Sequence, residues 1–203
     1  TSFGSKLIAC RSHILKGKKG TVVSPSQLND KWFLQRKTAD LKTVKLLYVG
    51  RIKIEKGVFS LLKILKNIKI NFSISIINSE KLHDKKLENE NIKIINFKNE
   101  NDSIIEVYDD HNIFILPSFT EGHPQVLDEA LSRLRPVIIF PEIAHVKRNR
   151  DGVLVSERKS KSLEDTIKYI INNYENIQKK MYNNVLPTKA SFLNEIVNIV
   201  NSK

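Results

Sequence analysis

The sequence predicts an α/β fold with a doubly wound, Rossmann-like parallel sheet, and two observations carry that expectation. Apolar, β-rich runs recur from residue 44 onward, and helical patterns of one to three turns separate them, as βαβ units with right-handed crossovers require. The strand-like runs are residues 44–49, 70–77, 92–97, 113–116, 136–140 and 153–155. The helical patterns are residues 59–65, a charged stretch at 81–87, 103–108 and 125–134, followed by three at the end of the chain, 162–172, 173–183 and 191–200. Pro187 separates the last two of these. Residues 1–43 fit the alternation poorly: "GKKGTVVSPSQLNDKWF" holds one short strand-like run among Ser-Pro-Ser and Asn-Asp turn signals. The expected division is therefore 1–43 as a connector from a preceding unit and 44–203 as the main domain.

Composition narrows the classes. The 203 residues are 40% hydrophobic, enough for a buried core. No apolar run approaches the roughly eighteen residues of a membrane helix, and the first twenty residues lack the pattern of a secretory leader, so the cytoplasm is the expected compartment. Its single cysteine, Cys10, is read as a buried structural thiol, in keeping with a reducing compartment. A net charge of +12 invites a polyanion. The basic residues are dispersed with few aromatics between them to stack on bases, so they read as a solvated surface and nucleic acid is not the expected partner. Peripheral attachment to an anionic membrane is compatible with that charge, although no amphipathic anchor is evident.

Two stretches could carry chemistry. In "LLYVGRIKIEKGVFSLLKIL" a strand ends at Val49, Gly50 turns the backbone, Arg51 follows, and Lys56 stands just before an amphipathic helix. Ligands of open α/β sheets bind beyond the carboxyl ends of strands, where helix N-termini favour anions. Arg51 and Lys56 could clamp a phosphate or diphosphate there; two exposed basic residues in a basic protein is the competing reading. In "PSFTEGHPQVLDEALSRLRPVI" the loop after the 113–116 strand carries Glu121, Gly122 and His123, and Pro124 suits a helix start. Val126, Leu127, Ala130, Leu131 and Leu134 form one apolar stripe, while Glu129 shares a face with Gln125 and can lean toward the loop. The carboxylates and loop amides suit a ligand rich in hydroxyls. Taken singly, Glu129 is equally a solvated or dipole-stabilising acid, and His123 a packed turn residue rather than a general base.

The combination resembles the donor site of the family 4 retaining glycosyltransferases: a Glu, seven residues, a second Glu, then Ala and a Pro-Val-Ile strand, with a Gly-Arg…Glu-Lys-Gly segment earlier in the chain. "DGVLVS" resembles the strand that follows in such proteins. The resemblance covers residues 44–175 and implies the C-terminal half of a GT-B enzyme, with 1–43 holding the remnant of an acceptor domain and the interdomain linker. It implies that Arg51 and Lys56 neutralise a donor diphosphate without a metal ion or other cofactor, that Glu129 binds ribose hydroxyls, that Glu121 and the backbone of Gly122, His123, Pro124 and Gln125 hold the sugar, and that Gly50 and Val126 complete the donor site, with Glu121, Arg51 and Lys56 as its catalytic residues. The implied activity is transfer of a sugar, with retention, from a nucleotide sugar to a glycan or lipid-linked acceptor in cell-surface polysaccharide assembly. An isolated half is expected to be inactive, and a non-catalytic nucleotide-sugar-binding module is the alternative. Two departures from the pattern stand out: Leu134 and Arg135 replace a usual glycine turn, and "IIFPEIAHVKRNRDG" lacks the Gly-Gly that commonly precedes Pro-Glu-Ile.

Overall fold

The computed structural model describes residues 6–10, 12–78, 88–96 and 103–202. Six strands form one sheet: β3 (Val44–Val49), β4 (Phe72–Asn78), β5 (Ile92–Asn96), β6 (Ile113–Leu116), β7 (Val137–Ile139) and β8 (Val153–Val155). Every pairing is parallel, and the spatial order is β5-β4-β3-β6-β7-β8. All four residues of β6 and all three of β7 are buried, so both faces of the sheet centre are covered, as parallel sheets require. The expected α/β architecture is the observed one. A separate pair, β1 (Ile8–Ala9) and β2 (Thr21–Val22), lies ahead of it.

The helices are α1 (Val58–Leu65), α2 (Ile104–Asp109), α3 (Gln125–Ser132), α4 (Ser160–Asn172), α5 (Tyr174–Met181) and α6 (Lys189–Asn201). Most ends shift by one or two residues from the sequence expectation, the ordinary uncertainty of frayed termini. The charged stretch 81–87 and Phe97 lie outside the described residues. Helix α3 differs for a specific reason: Leu134 adopts a left-handed φ of 58°, so the helix stops at Ser132 rather than running to 134. The turn that commonly uses glycine is thus made by a leucine, whose side chain is buried to compensate.

Flanking that turn are Arg133 and Arg135, each only 1% exposed. Arg133 grips Asp109 with two hydrogen bonds, Nε to Oδ1 at 2.9 Å and Nη2 to Oδ2 at 2.7 Å. Its remaining donors reach the carbonyls of Trp32, Leu34 and Gln35. Arg135 donates to the carbonyls of Tyr108, Asp109, Arg133 and Lys37. Burial lowers the Arg135 pKa, with Tyr174 and Asp109 opposing the shift. Two guanidiniums therefore staple residues 32–37 onto α2 and α3, and Leu28 and Trp32 join the central core. Cys10 is half-buried rather than a core thiol; its Sγ faces the Gly122 loop, 3.6 Å from where a Cβ on that glycine would stand. Among the described residues no helix is long and apolar enough to cross a membrane.

Removing one member of a buried, multiply bonded ion pair strands the other. Arg133→Met is accordingly expected to lower the unfolding free energy by about 3–5 kcal/mol in urea titrations, with the melting temperature falling in step.

Candidate functional site

The sheet order places a topological switch between β3 and β6: the chain leaves β3 toward β4 and β5, and later continues from β6 toward β7 and β8. A crevice opens where the loops diverge. Its cavity, about 390 Å³, is lined by Tyr48, Val49, Gly50, Arg51, Lys56, Leu116, Glu121, His123, Pro124, Gln125 and Val126.

The walls are built by two loops that touch. Gly50 has a φ of 152°, and a Cβ there would stand 2.8 Å from the Tyr48 hydroxyl, so the first turn out of β3 excludes larger residues. That hydroxyl donates to the Arg51 carbonyl at 2.8 Å and fixes the loop from below. The segment then forms a short 3₁₀ turn, Ile54–Lys56, closed by Gly57 in the left-handed region at φ 70°. A Cβ on Gly57 would lie 1.9 Å from the Pro117 carbonyl oxygen. Only glycine lets the β3 and β6 loops meet this closely, and the Phe119 amide bonds the Glu55 carbonyl at 3.0 Å alongside.

That contact delivers Lys56 to Glu121. Lys56 Nζ donates to Glu121 Oε1 at 2.7 Å, and Ser118 Oγ donates to the same oxygen at 2.6 Å. His145 places its Nε2 3.2 Å from the Glu121 carbonyl. His123 is packed rather than poised: its side chain is 4% exposed, with Nε2 3.1 Å from Asp128 Oδ2 and Arg148 Nη2 3.5 Å from its Nδ1. Asp128 is paired on its other oxygen with Arg150. Arg51 is exposed at the cavity wall.

Glu129 behaves differently from its expected partners. It does not line the cavity with Arg51, Lys56 and Glu121. One helical turn behind Gln125, it accepts a hydrogen bond on Oε2 from Tyr108 at 2.8 Å. Burial raises its carboxyl pKa; the Tyr108 bond opposes the rise and neighbouring Asp128 adds to it. Sequence periodicity placed Glu129 off the apolar stripe but could not see that α2 covers that face.

The third loop, beyond β7, is where Gly-Gly is missing. Phe140 is fully buried there, and the Arg158 guanidinium sits between Phe119 and Phe140 at 4.2 and 4.3 Å from their ring centres. Arg158 also forks onto Glu142, Nε to Oε1 at 2.9 Å and Nη2 to Oε2 at 3.1 Å. This hydrogen bonding lowers the Glu142 pKa, against a smaller effect of burial. Tyr48, Ser118, His145 and Arg158 were missed from sequence; Tyr48 alone carried a signal, as an aromatic just before the Gly-Arg turn.

A doubly wound parallel sheet with a crevice at its switch point, walled by two cationic side chains and a carboxylate, defines a Rossmann-like α/β domain. The chain belongs to the glycosyl transferases group 1 family, whose model matches residues 30–185. Solved GT-B glycosyltransferase structures share the fold. One is a glycosyltransferase from Rickettsia africae, with a TM-score of 0.73 at 17% identity, covering 98% of this chain and 64% of that one. Another is HepE from Anabaena, solved with UDP and glucose, with a TM-score of 0.75 at 14% identity, covering 99% and 64%. A third is WaaG, a glycosyltransferase involved in lipopolysaccharide biosynthesis, with a TM-score of 0.65 at 14% identity, covering 91% and 57%. The chain thus spans less than two thirds of each of these proteins. No curated protein matches the sequence.

A carboxyl whose folded pKa is raised contributes most stability below its unfolded pKa and loses it as pH rises toward the folded value. Glu129→Gln keeps an oxygen for Tyr108 and removes the buried charge. It is expected to melt above the parent at pH 7, the gap closing as pH is lowered toward 4, in thermal scans across that range.

Proposed function

We propose that this chain is the donor-binding half of a metal-independent retaining glycosyltransferase that uses a nucleoside diphosphate sugar. The observation that carries the reading is the convergence of Arg51, Lys56 and Glu121 on one crevice at the switch point of the sheet. The diphosphate lies against Arg51 and Lys56. As the bond between the anomeric carbon and the phosphate oxygen breaks, charge grows on that oxygen, and preorganised cations favour its departure in the role a metal ion plays elsewhere. The acceptor hydroxyl attacks from the same face and its proton passes to the leaving phosphate, which preserves the anomeric configuration.

Glu121 is held by Lys56 and Ser118, which suits contact with sugar hydroxyls better than the role of a free base. The backbone of Gly122 to Gln125 holds the sugar beside Gly50 and Val126, and Glu129, one helical turn beyond the crevice lining, is assigned to the ribose hydroxyls. HepE, the fold relative solved with UDP and glucose, supports a nucleotide sugar as ligand. The acceptor is a glycan or lipid-linked sugar in cell-surface polysaccharide assembly, the enzyme works in the cytoplasm, and its surplus of basic residues favours the anionic inner face of a membrane. Residues 1–43 are assigned to the linker and the end of an acceptor domain, with Leu28 and Trp32 of that stretch packed into the central core of the donor half.

Isothermal calorimetry with UDP- and GDP-sugars tests the proposal. Binding is expected with the same affinity with and without magnesium, and Arg51→Ala and Lys56→Ala should each weaken it by ~1.5–3 kcal/mol, the range for hydrogen bonds to charged groups. Parental affinity in both variants would remove the diphosphate clamp.

A further inference from the structure

Tyr108, the penultimate residue of α2, is fully buried, and its hydroxyl has a specific target. It donates to Glu129 Oε2 at 2.8 Å, with the Val126 carbonyl 3.3 Å away. Val126 lines the crevice, so the hydroxyl stands directly behind the crevice wall. The ring cannot turn aside: Trp32 packs edge-on at 5.6 Å between centroids and Phe114 lies at 5.7 Å on another side. Its main chain is pinned as well, since Arg135 Nε bonds the Tyr108 carbonyl at 3.0 Å and the next residue, Asp109, is gripped by Arg133.

We propose that Tyr108 is a positioning residue for nucleoside recognition, its hydroxyl fixing Glu129 Oε2 so that Oε1 is presented to ligand hydroxyls in a single orientation. The inference rests on the ribose reading of Glu129 given above. A glutamate has three side-chain torsions, and an unrestrained one loses that freedom on binding. A phenylalanine would fill the same space; the hydroxyl adds a desolvation cost that only its bonds to Glu129 and Val126 offset. The bond also opposes the burial that favours the neutral form of Glu129. The titratable groups bearing on that carboxyl are Tyr108 from α2 and Asp128 from its own helix.

UDP and inorganic diphosphate are titrated into the 203-residue chain and three variants: Tyr108→Phe, Glu129→Gln and the double variant. The Phe variant retains the ring and is expected to melt within roughly 6 °C of the parent. Its UDP dissociation constant should rise roughly tenfold, with diphosphate affinity unchanged, and the acid limb of UDP binding should move to higher pH. The double variant should bind UDP no more weakly than Glu129→Gln. Parental UDP affinity and pH profile in Tyr108→Phe, beside weakened UDP binding by Glu129→Gln, would overturn the inference and leave the ribose reading intact. Parental UDP affinity in Glu129→Gln would overturn both. Equal loss of UDP and diphosphate binding in Tyr108→Phe would also overturn the inference, since the ring would then support the crevice as a whole.

Discussion

The close approach of Gly57 to the Pro117 carbonyl sets the geometry of the crevice. Parallel strands bring β3 and β6 side by side, but their loops diverge at the switch point and would otherwise leave Lys56 far from Glu121. Because a hydrogen replaces Cβ at residue 57, the two loops touch, and the lysine and the glutamate come within 2.7 Å. Neither half of the pair has this environment alone. The cation is turned inward by its 3₁₀ turn, and the carboxylate oxygen is shared with Ser118.

A second constraint works from the opposite side of α3. A leucine in the left-handed region is a costly way to end a helix, by about 1 kcal/mol or more relative to glycine. Here the cost coincides with a cluster in which Arg133 pairs with Asp109 and both arginines bond the carbonyls of residues 32–37. Backbone freedom has been exchanged for a rigid polar joint. The same joint braces Tyr108, so the approach to the domain and the rear wall of its crevice share one buried network.

The sheet was legible because each strand is an apolar run between turn signals, and parallel strands buried on both faces read as continuous hydrophobicity. The convergence of Arg51, Lys56 and Glu121 was legible for a related reason: both loops follow strands at the same end of a parallel sheet. Glu129 shows where periodicity stops. A helical wheel separates a stripe from its opposite face, but whether that face meets water or α2 depends on how another element is placed. The buried arginines were illegible for a similar reason. Arginine is usually read as surface, and partners distant in sequence, the Asp109 carboxylate and the carbonyls of residues 32–37 among them, make its burial tolerable. Arg158 escaped notice because its partners, two aromatics and Glu142, come from two other loops.

The cation sandwiched between Phe119 and Phe140 bears on how the domain would meet its ligand. Glycine-rich loops fold over an incoming molecule and lose entropy as they order. This corner is already ordered by stacked rings, a forked ion pair and a buried phenylalanine. That corner is therefore pre-ordered by its own packing, with little conformational freedom left to lose.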